Sequence, residues 1–200
     1  MITVVSIVEG DGEVRALPVL LRRINGWLTP SASIFLPNPI RVRKDQFLRR
    51  ADVFERHVKL AARICAQPGW ILILLDADDD CPKELAEQTL RRARLLAPHR
   101  MISVVLANRE YEAWFIAAAA SLDGKRGFSA PAQPLPAADA IRDAKGWIDR
   151  QIVGGKYHPI DDQAAFSAQM DLSETHANSR SFRKLCDDWT RQNQLSLSLP

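Results

Sequence analysis

The chain alternates between short apolar runs and longer stretches in which apolar residues recur every three or four positions. The runs at 2–8, 70–75 and 101–106 have the length of buried strands, and a weaker run at 33–42 is interrupted by prolines. The longer stretches have helical spacing, and they cover 13–28, 46–66, 82–97 and 110–120. This order predicts an α/β fold with a mostly parallel sheet covered by helices on both faces.

Four aspartates stand directly after the apolar run 70–75. A buried strand has no structural use for so many carboxylates. Side chains alternate in an extended segment, so Asp76, Asp78 and Asp80 can point the same way. Acids held that close repel one another unless a cation lies between them, and a hard divalent ion prefers oxygen ligands. The aspartates therefore predict a magnesium site.

The same aspartates also have a structural interpretation. The first turn of a helix has free amide groups that need acceptors, and Asp79 or Asp80 stands just ahead of the helix predicted at 82–97. Capping explains Asp80 as well as metal binding does. Asp76 and Asp78 lie too far upstream to cap that helix, which favours the metal for these two residues.

A second acidic cluster, Glu9-Gly10-Asp11-Gly12-Glu13, follows the first strand. Acids that end two strands of a parallel sheet lie at the same carboxyl edge, where open α/β sheets bind their ligands. We therefore expect Glu9 to meet Asp76 and Asp78 across a gap of one strand. The two glycines allow a tight turn, after which Glu13 lies over the same edge. A carboxylate at that position also complements the dipole of the following helix.

These acidic strings resemble those of a known family. Val8-Glu9-Gly10 followed by the aspartates at 76–80 is similar to the Toprim domain of topoisomerases, bacterial primases and several nucleases, whose signature is a strand-terminal Glu and a later D-x-D. The string from Val8 to Pro18 resembles Toprim nucleases of the overcoming-lysogenization-defect (OLD) type, which carry E-G-x-x-E and a following Leu-Pro. The whole chain also resembles an uncharacterised bacterial Toprim-like family. The resemblance covers about residues 1–115 and then rests on short strings.

The OLD-type resemblance extends to two later residues. Glu112, within the string Glu-Tyr-Glu-Ala-Trp at 110–114, matches the acid that these nucleases carry after the fourth strand. Lys156, after Gly154-Gly155, resembles their late lysine. The ordinary alternatives are a surface acid in the first turn of a helix for Glu112 and an exposed lysine beside a glycine turn for Lys156.

The resemblance implies a two-metal phosphodiesterase that uses Mg²⁺ or Mn²⁺. Glu9, Asp76 and Asp78 would hold the first ion, with Asp80 as a further acid beside it. Glu13 and Glu112 would hold the second ion or act as general base. Lys156 would offset the charge of the transition state.

Basic residues are concentrated in three runs, at 41–44, 91–94 and 180–184. The net charge of +3 is mild, but positive surface beside a metal site suits a phosphate backbone. The last run indicates nucleic-acid binding by Arg180, Arg183 and Lys184, because these residues are interleaved with an aromatic side chain and the string resembles one in the uncharacterised family. Ordinary solvated helix faces are the alternative.

Length and composition indicate how the chain is organised. With 200 residues, of which 46% are hydrophobic, the chain can bury a full core. We expect a Toprim-like catalytic core at 1–123, a linker loop with three prolines at 124–138 and a helical C-terminal part at 139–200.

The sequence indicates neither a membrane protein nor a disulfide scaffold. No segment approaches the roughly 20 apolar residues of a membrane span, and the chain opens on a strand instead of a signal peptide, so we expect a cytoplasmic protein. Cys65, Cys81 and Cys186 are scattered and odd in number, which indicates neither disulfides nor a zinc site.

The sequence thus predicts a metal-dependent nuclease. OLD-type nucleases join the Toprim domain to an ABC-type ATPase, but this sequence contains no G-x-x-x-x-G-K-[ST] phosphate loop. The resemblance therefore implies a separately encoded ATPase as partner, in defence against phage. The alternatives are a nuclease that works without a partner, and a Toprim-like module that binds metal, nucleic acid or another protein without cutting. The sequence does not distinguish DNA from RNA.

Overall fold

A five-stranded parallel sheet forms the centre of the fold in the computed structural model, which describes residues 1–132 and 137–198. The strands are β1 (Ile2–Val8), β2 (Ile34–Phe35), β3 (Ile40–Arg41), β4 (Gly69–Asp76) and β5 (Met101–Ala107). Their order is β2-β1-β4-β5, and β3 also pairs with β1. This architecture confirms the predicted α/β class.

The pairing of β1 corrects one expectation about the sheet. The short strands β2 and β3 both pair with β1, at its beginning and its end respectively. Residues 36–39, which include two prolines, separate them. On its other side β1 pairs directly with β4. The expected gap of one strand between Glu9 and Asp76 is therefore wrong, because the weak second strand lies outside β1.

Nine α-helices surround the sheet in the described part of the chain. They are α1 (Asp11–Leu28), α2 (Lys44–Arg49), α3 (Ala51–Ile64), α4 (Pro82–Leu96), α5 (Ala113–Ala117), α6 (Ala144–Gln151), α7 (Pro159–Gln169), α8 (Leu172–Asn178) and α9 (Arg180–Ser198). The helix predicted at 46–66 is divided into α2 and α3, because Arg50 has an extended backbone. No helix among the described residues is both long and apolar enough to cross a membrane.

Each face of the sheet packs against its own set of helices. Val5, Ile7 and Ile73 point to the face covered by α2, α3 and α4. Trp70 and Leu72 point to the opposite face, which is covered by α1, α5 and the helices that follow residue 138. This alternation is the one expected of strands buried on both sides.

The helices after residue 138 complete the core. Helix α7 packs along α1, and α9 packs against β4 and β5. The indole of Trp70 donates a hydrogen bond to Asn193 Oδ1 at 2.9 Å, and that of Trp189 donates one to Thr29 Oγ1 at 2.9 Å. The predicted linker belongs partly to this core, since Phe128 is buried. Its residues 133–136 lie outside the described residues.

We expect Trp189→Ala to lower the free energy of unfolding by about 3 to 5 kcal/mol, because it empties a fully buried site between α9 and the sheet. Leu197→Ala on the exposed side of the same helix should change it by less than about 0.5 kcal/mol. Urea denaturation followed by circular dichroism measures both. Equal effects would contradict the packing of α9.

Candidate functional site

Acidic side chains from several elements meet at the carboxyl edge of the sheet. Glu9 directly follows β1, Asp76 ends β4, Glu13 lies in the first turn of α1 and Glu112 immediately precedes α5. The first three line a cavity of about 610 Å³, together with Lys145, Gln163 and other residues. Because all the strands are parallel, their ends deliver these acids to one place, as the sequence predicted.

Glu112 is the most deeply buried of these acids. Its side chain is 0% exposed, so the alternative of a surface acid is wrong. Its Oε1 accepts hydrogen bonds from Gln163 Nε2 at 2.8 Å and from the Tyr157 hydroxyl at 3.0 Å. Its Oε2 has no hydrogen-bond partner and lies 3.7 Å from Lys145 Nζ. Burial raises the pKa of Glu112, although the nearby Lys145 ammonium opposes that change.

Asp76 is held by the backbone of the neighbouring loop. Its Oδ1 accepts a hydrogen bond from the Tyr111 amide at 2.8 Å, and its Oδ2 lies 3.7 Å from Lys145 Nζ. Burial raises the pKa of Asp76 well above its usual value; Lys145 opposes the shift, and the charges of Glu13, Glu112 and Glu9 add to it. The acids are therefore close enough to destabilise one another's charged forms.

Glu9 is in a similar electrostatic situation. Burial raises its pKa; Lys44 opposes the change, and Asp78 and Glu13 reinforce it. Its Oε2 is buried without a hydrogen-bond partner. An unpaired buried carboxylate oxygen is costly, and such groups concentrate at binding and catalytic sites.

The glycines of the first acidic cluster lie where β1 turns into α1, and close neighbours leave no room for a side chain at either position. Only Glu9 and Gly10 connect β1 to α1, so the chain turns tightly there as expected, with Gly10 itself extended (φ −105°, ψ 167°). A Cβ atom on Gly10 would lie 2.3 Å from Glu13 Oε2. A Cβ on Gly12 would lie 2.0 Å from Gln163 Oε1 and 2.9 Å from the Pro159 carbonyl oxygen. The missing side chains let the Glu13 carboxylate and helix α7 approach the start of α1.

Asp78 and Asp80 lie on the exposed side of the acidic cluster, where Lys44 joins them. The buried Lys44 ammonium is 2.5 Å from Asp78 Oδ2 and 3.9 Å from Asp80 Oδ2. Asp78 has a positive φ of 50°, and its amide donates to the carbonyl oxygen of Arg109, whose φ is also positive. Two such non-glycine residues side by side are strained, and this kind of strain clusters at functional sites.

The capping interpretation of the aspartates is wrong. The residue that precedes α4 is Cys81, and no side chain caps this helix. Asp79 instead accepts a hydrogen bond from Arg109 Nη1 at 2.5 Å. Asp80 is left with the long contact to Lys44, so the site uses these aspartates to bind cations of the chain itself.

A second lysine of the site is Lys145, which no sequence motif indicates. Its ammonium lies 3.4 Å from Glu110 Oε1 and within 3.7 Å of both Asp76 and Glu112. Lys156 is exposed and does not line the cavity. Gln163 was missed too. Neither residue belongs to a motif, and only the packing of α6 and α7 over the sheet edge brings them to the acids.

The predicted nucleic-acid residues of α9 have different surroundings. Arg180 is exposed at the first position of the helix. The Arg183 guanidinium donates to the carbonyl oxygens of His176 and Ala177 at 2.6 and 2.8 Å, and Lys184 forms an ion pair with Asp188. Two of the three cations thus bind groups of the chain itself. Positive charge at the cavity comes instead from Lys145 and from the run at 41–44, with Arg41, Arg43 and Lys44 in its wall.

Carboxylate oxygens, such as those of this site, are the ligands that a hard divalent cation prefers. The buried Oε2 atoms of Glu9 and Glu112 have no hydrogen-bond partner. In the described parts of the chain, however, no three acidic, histidine or cysteine side chains are already arranged as ligands of one ion. The ammonium of Lys145 lies beside two of the acids instead.

A family described as a domain of unknown function, DUF4276, matches residues 8–188. The matched region contains every residue that the sequence analysis assigned to a site. No curated protein and no solved structure matches the chain.

We expect Gly12→Ala to destabilise the protein by about 2 kcal/mol or more, because the new Cβ would overlap the Gln163 side chain and the Pro159 backbone. Gly26→Ala in the same helix is the matched control. Its Cβ meets nothing within 4 Å, so it should stabilise the protein by about 0.5 to 1 kcal/mol. Urea unfolding of both variants measures the difference. Stabilisation by both would show that α7 does not press against Gly12.

Proposed function

The chain belongs to the DUF4276 family, and we propose that it is a metal-dependent phosphodiesterase, a nuclease that hydrolyses nucleic acid. The observation that carries this proposal is the convergence of Glu9, Glu13, Asp76 and Glu112, from four separate elements, at the carboxyl edge of the sheet. Three of them line one open cavity. Open α/β sheets bind their ligands at this edge.

A purely structural role explains these acids poorly. Burying a carboxylate is costly unless it is paired and hydrogen-bonded, yet buried oxygens of Glu9 and Glu112 have no hydrogen-bond partner. A cluster whose members raise one another's pKa destabilises the fold that contains it. Groups of this kind are characteristic of functional sites.

We propose Mg²⁺ or Mn²⁺ as the cation, because carboxylate oxygens are the ligands that these ions prefer. We assign Glu9, Asp76 and Asp78 to a first ion, with Asp80 beside it on the exposed side, and Glu13 and Glu112 to a second ion or to general base work. Metal ions in such a site would activate a water molecule and neutralise charge on the phosphate. Gln163 and Tyr157 fix the orientation of the Glu112 carboxylate, whatever is bound there.

The rim of the cavity supports a phosphate-containing substrate. Arg41, Arg43, Lys44 and Lys145 all contribute to its lining. No aromatic side chain lines the cavity in the described parts of the chain, so the surroundings favour contacts with the backbone over stacking with bases. Both DNA and RNA present the required phosphates. Arg180 at the start of α9 is a further contact in this proposal.

The Toprim-like and OLD-type character of the protein is part of the proposal. Glu9 directly after β1, beside the D-x-D of Asp76 and Asp78 at the end of the adjacent strand β4, supports it. By the same resemblance, we propose that a separately encoded ABC-type ATPase controls the nuclease in phage defence. Co-expression with a neighbouring ATPase gene, followed by pull-down and phage plating, tests this part. No complex and unchanged plating would leave a nuclease that works without a partner.

Purified protein should cleave plasmid DNA or structured RNA with Mg²⁺ or Mn²⁺, and EDTA should stop the reaction. Glu9→Gln should lower the rate by at least about 100-fold, since even residues that only support a metal ligand are worth about 10 to 100-fold. Glu55→Gln, an exposed acid of α3, is the matched control and should keep the activity. Cleavage that survives EDTA would refute the proposal. Metal-dependent binding without cleavage would favour the non-catalytic module.

Asp76→Asn should abolish the rise in melting temperature that Mn²⁺ produces in the wild type. The asparagine can still accept the hydrogen bond from the Tyr111 amide, so the metal-free protein should melt at the same temperature or higher. Asp52→Asn, an exposed acid of α3, should respond to Mn²⁺ like the wild type. Differential scanning fluorimetry measures all three proteins. An undiminished Mn²⁺ response of Asp76→Asn would remove Asp76 from the metal site.

A further inference from the structure

Lys145 lies where several carboxylates of the site meet. Its ammonium is 3.4 Å from Glu110 Oε1, 3.7 Å from Asp76 Oδ2 and 3.7 Å from Glu112 Oε2. These acids come from the end of β4 and from the loop after β5. One positive charge is thus shared among three negative groups. No single carboxylate is its exclusive partner.

The backbone around Lys145 fixes the base of its side chain. Asp143 caps α6 by accepting a hydrogen bond from the Gly146 amide at 2.9 Å. The Lys145 amide donates to Glu110 Oε2 at 3.0 Å, so Glu110 binds both the backbone and the ammonium of this residue. The first turn of α6 is therefore anchored to the loop after β5, and its lysine is directed at the acids.

The ammonium can still leave this position. The Lys145 side chain is 39% exposed, and it lines the open cavity of about 610 Å³. A lysine side chain has a flexible four-carbon stem, so its ammonium can move readily to another position. The cavity offers it both solvent and space, whereas the Glu112 side chain is 0% exposed and has no such freedom.

We propose that Lys145 is an internal counter-cation that competes with the divalent metal ion for Asp76 and Glu112. Without metal its ammonium offsets their charge. An ion that binds the same oxygens must first displace that ammonium, because two cations in one small site repel each other. Lys145 therefore sets the metal concentration at which the site fills. This inference rests on the proposed function, since it concerns the same metal site.

The other lysine of the cavity has a different place. Lys44 binds Asp78 and Asp80, whose side chains are mostly exposed to solvent. An exposed carboxylate loses little when its cation is removed. Lys145 is the cation that contacts the buried acids Asp76 and Glu112, so its competition with metal should be the stronger one.

Titration of the nucleic-acid-free protein with Mn²⁺ in a calorimeter tests the inference. The neutral variants Lys145→Met and Lys145→Gln should bind Mn²⁺ at least about tenfold more tightly than the wild type, a change of about 1.4 kcal/mol. Both should melt at a lower temperature without metal, because the acids lose their counter-charge. Lys145→Arg keeps the charge and should stay within about threefold of the wild type, as should Lys125→Met, which removes an exposed charge elsewhere.

A second measurement uses only the wild type, so it does not depend on whether the variants fold. Amine acylation followed by mass spectrometry should label Lys145 slowly without metal and faster as Mn²⁺ is added. A merely structural lysine would give less stable variants with equal or weaker Mn²⁺ binding and no change in labelling, and that result would overturn the inference alone. Absence of Mn²⁺ binding in the wild type and in every variant would overturn it together with the proposed function.

Discussion

The parallel direction of the strands is the constraint on which the site depends. Every strand of the described sheet points the same way, so the residues that follow β1, β4 and β5 must gather at one edge. Several of those residues are acids, and their charged forms cannot be brought together without repulsion. The lysines and hydrogen-bond donors around them offset this concentration of negative charge.

The second half of the chain supplies many of these stabilising groups. Helices α6 and α7 and the segment between them carry Lys145, Gln163 and Tyr157, which contact the acids delivered by the sheet. The same helices bury apolar surface against α1 and α5. Packing energy from the core thus holds the groups that stabilise the site. For this reason the site is a property of the whole fold and not of the sheet alone.

Sequence patterns indicated the acids of the site but not the residues that contact them. Glu9 and Asp76 follow apolar runs, and strand direction alone brings such residues together, so their meeting could be predicted. The broken helix at Arg50 and the neighbouring places of β1 and β4 depend on tertiary pairing, which short patterns do not encode. Lys145 and Gln163 stand in ordinary helical sequence. Their contacts with the acids follow from how α6 and α7 pack. Lys156, which follows the glycine pair at 154–155, was predicted instead, but it is exposed and lies outside the cavity.

The acidic cluster that forms the proposed site also lowers the stability of the folded protein. Burial and mutual repulsion raise the pKa of Asp76 and Glu112, which means that their charged forms cost the folded protein free energy at neutral pH. Lys145 offsets part of this free energy with one positive charge. That charge is always present, because the side chain is part of the protein. A divalent ion in the proposed site would offset more of this free energy, but only when its free concentration exceeds its dissociation constant, since any ligand that binds the folded state alone stabilises it by mass action. A fold that relied on metal alone would be least stable whenever metal was scarce. The ammonium of Lys145 therefore allows the acids to be buried without a bound ion, and under our proposal it would make metal binding at this site weaker.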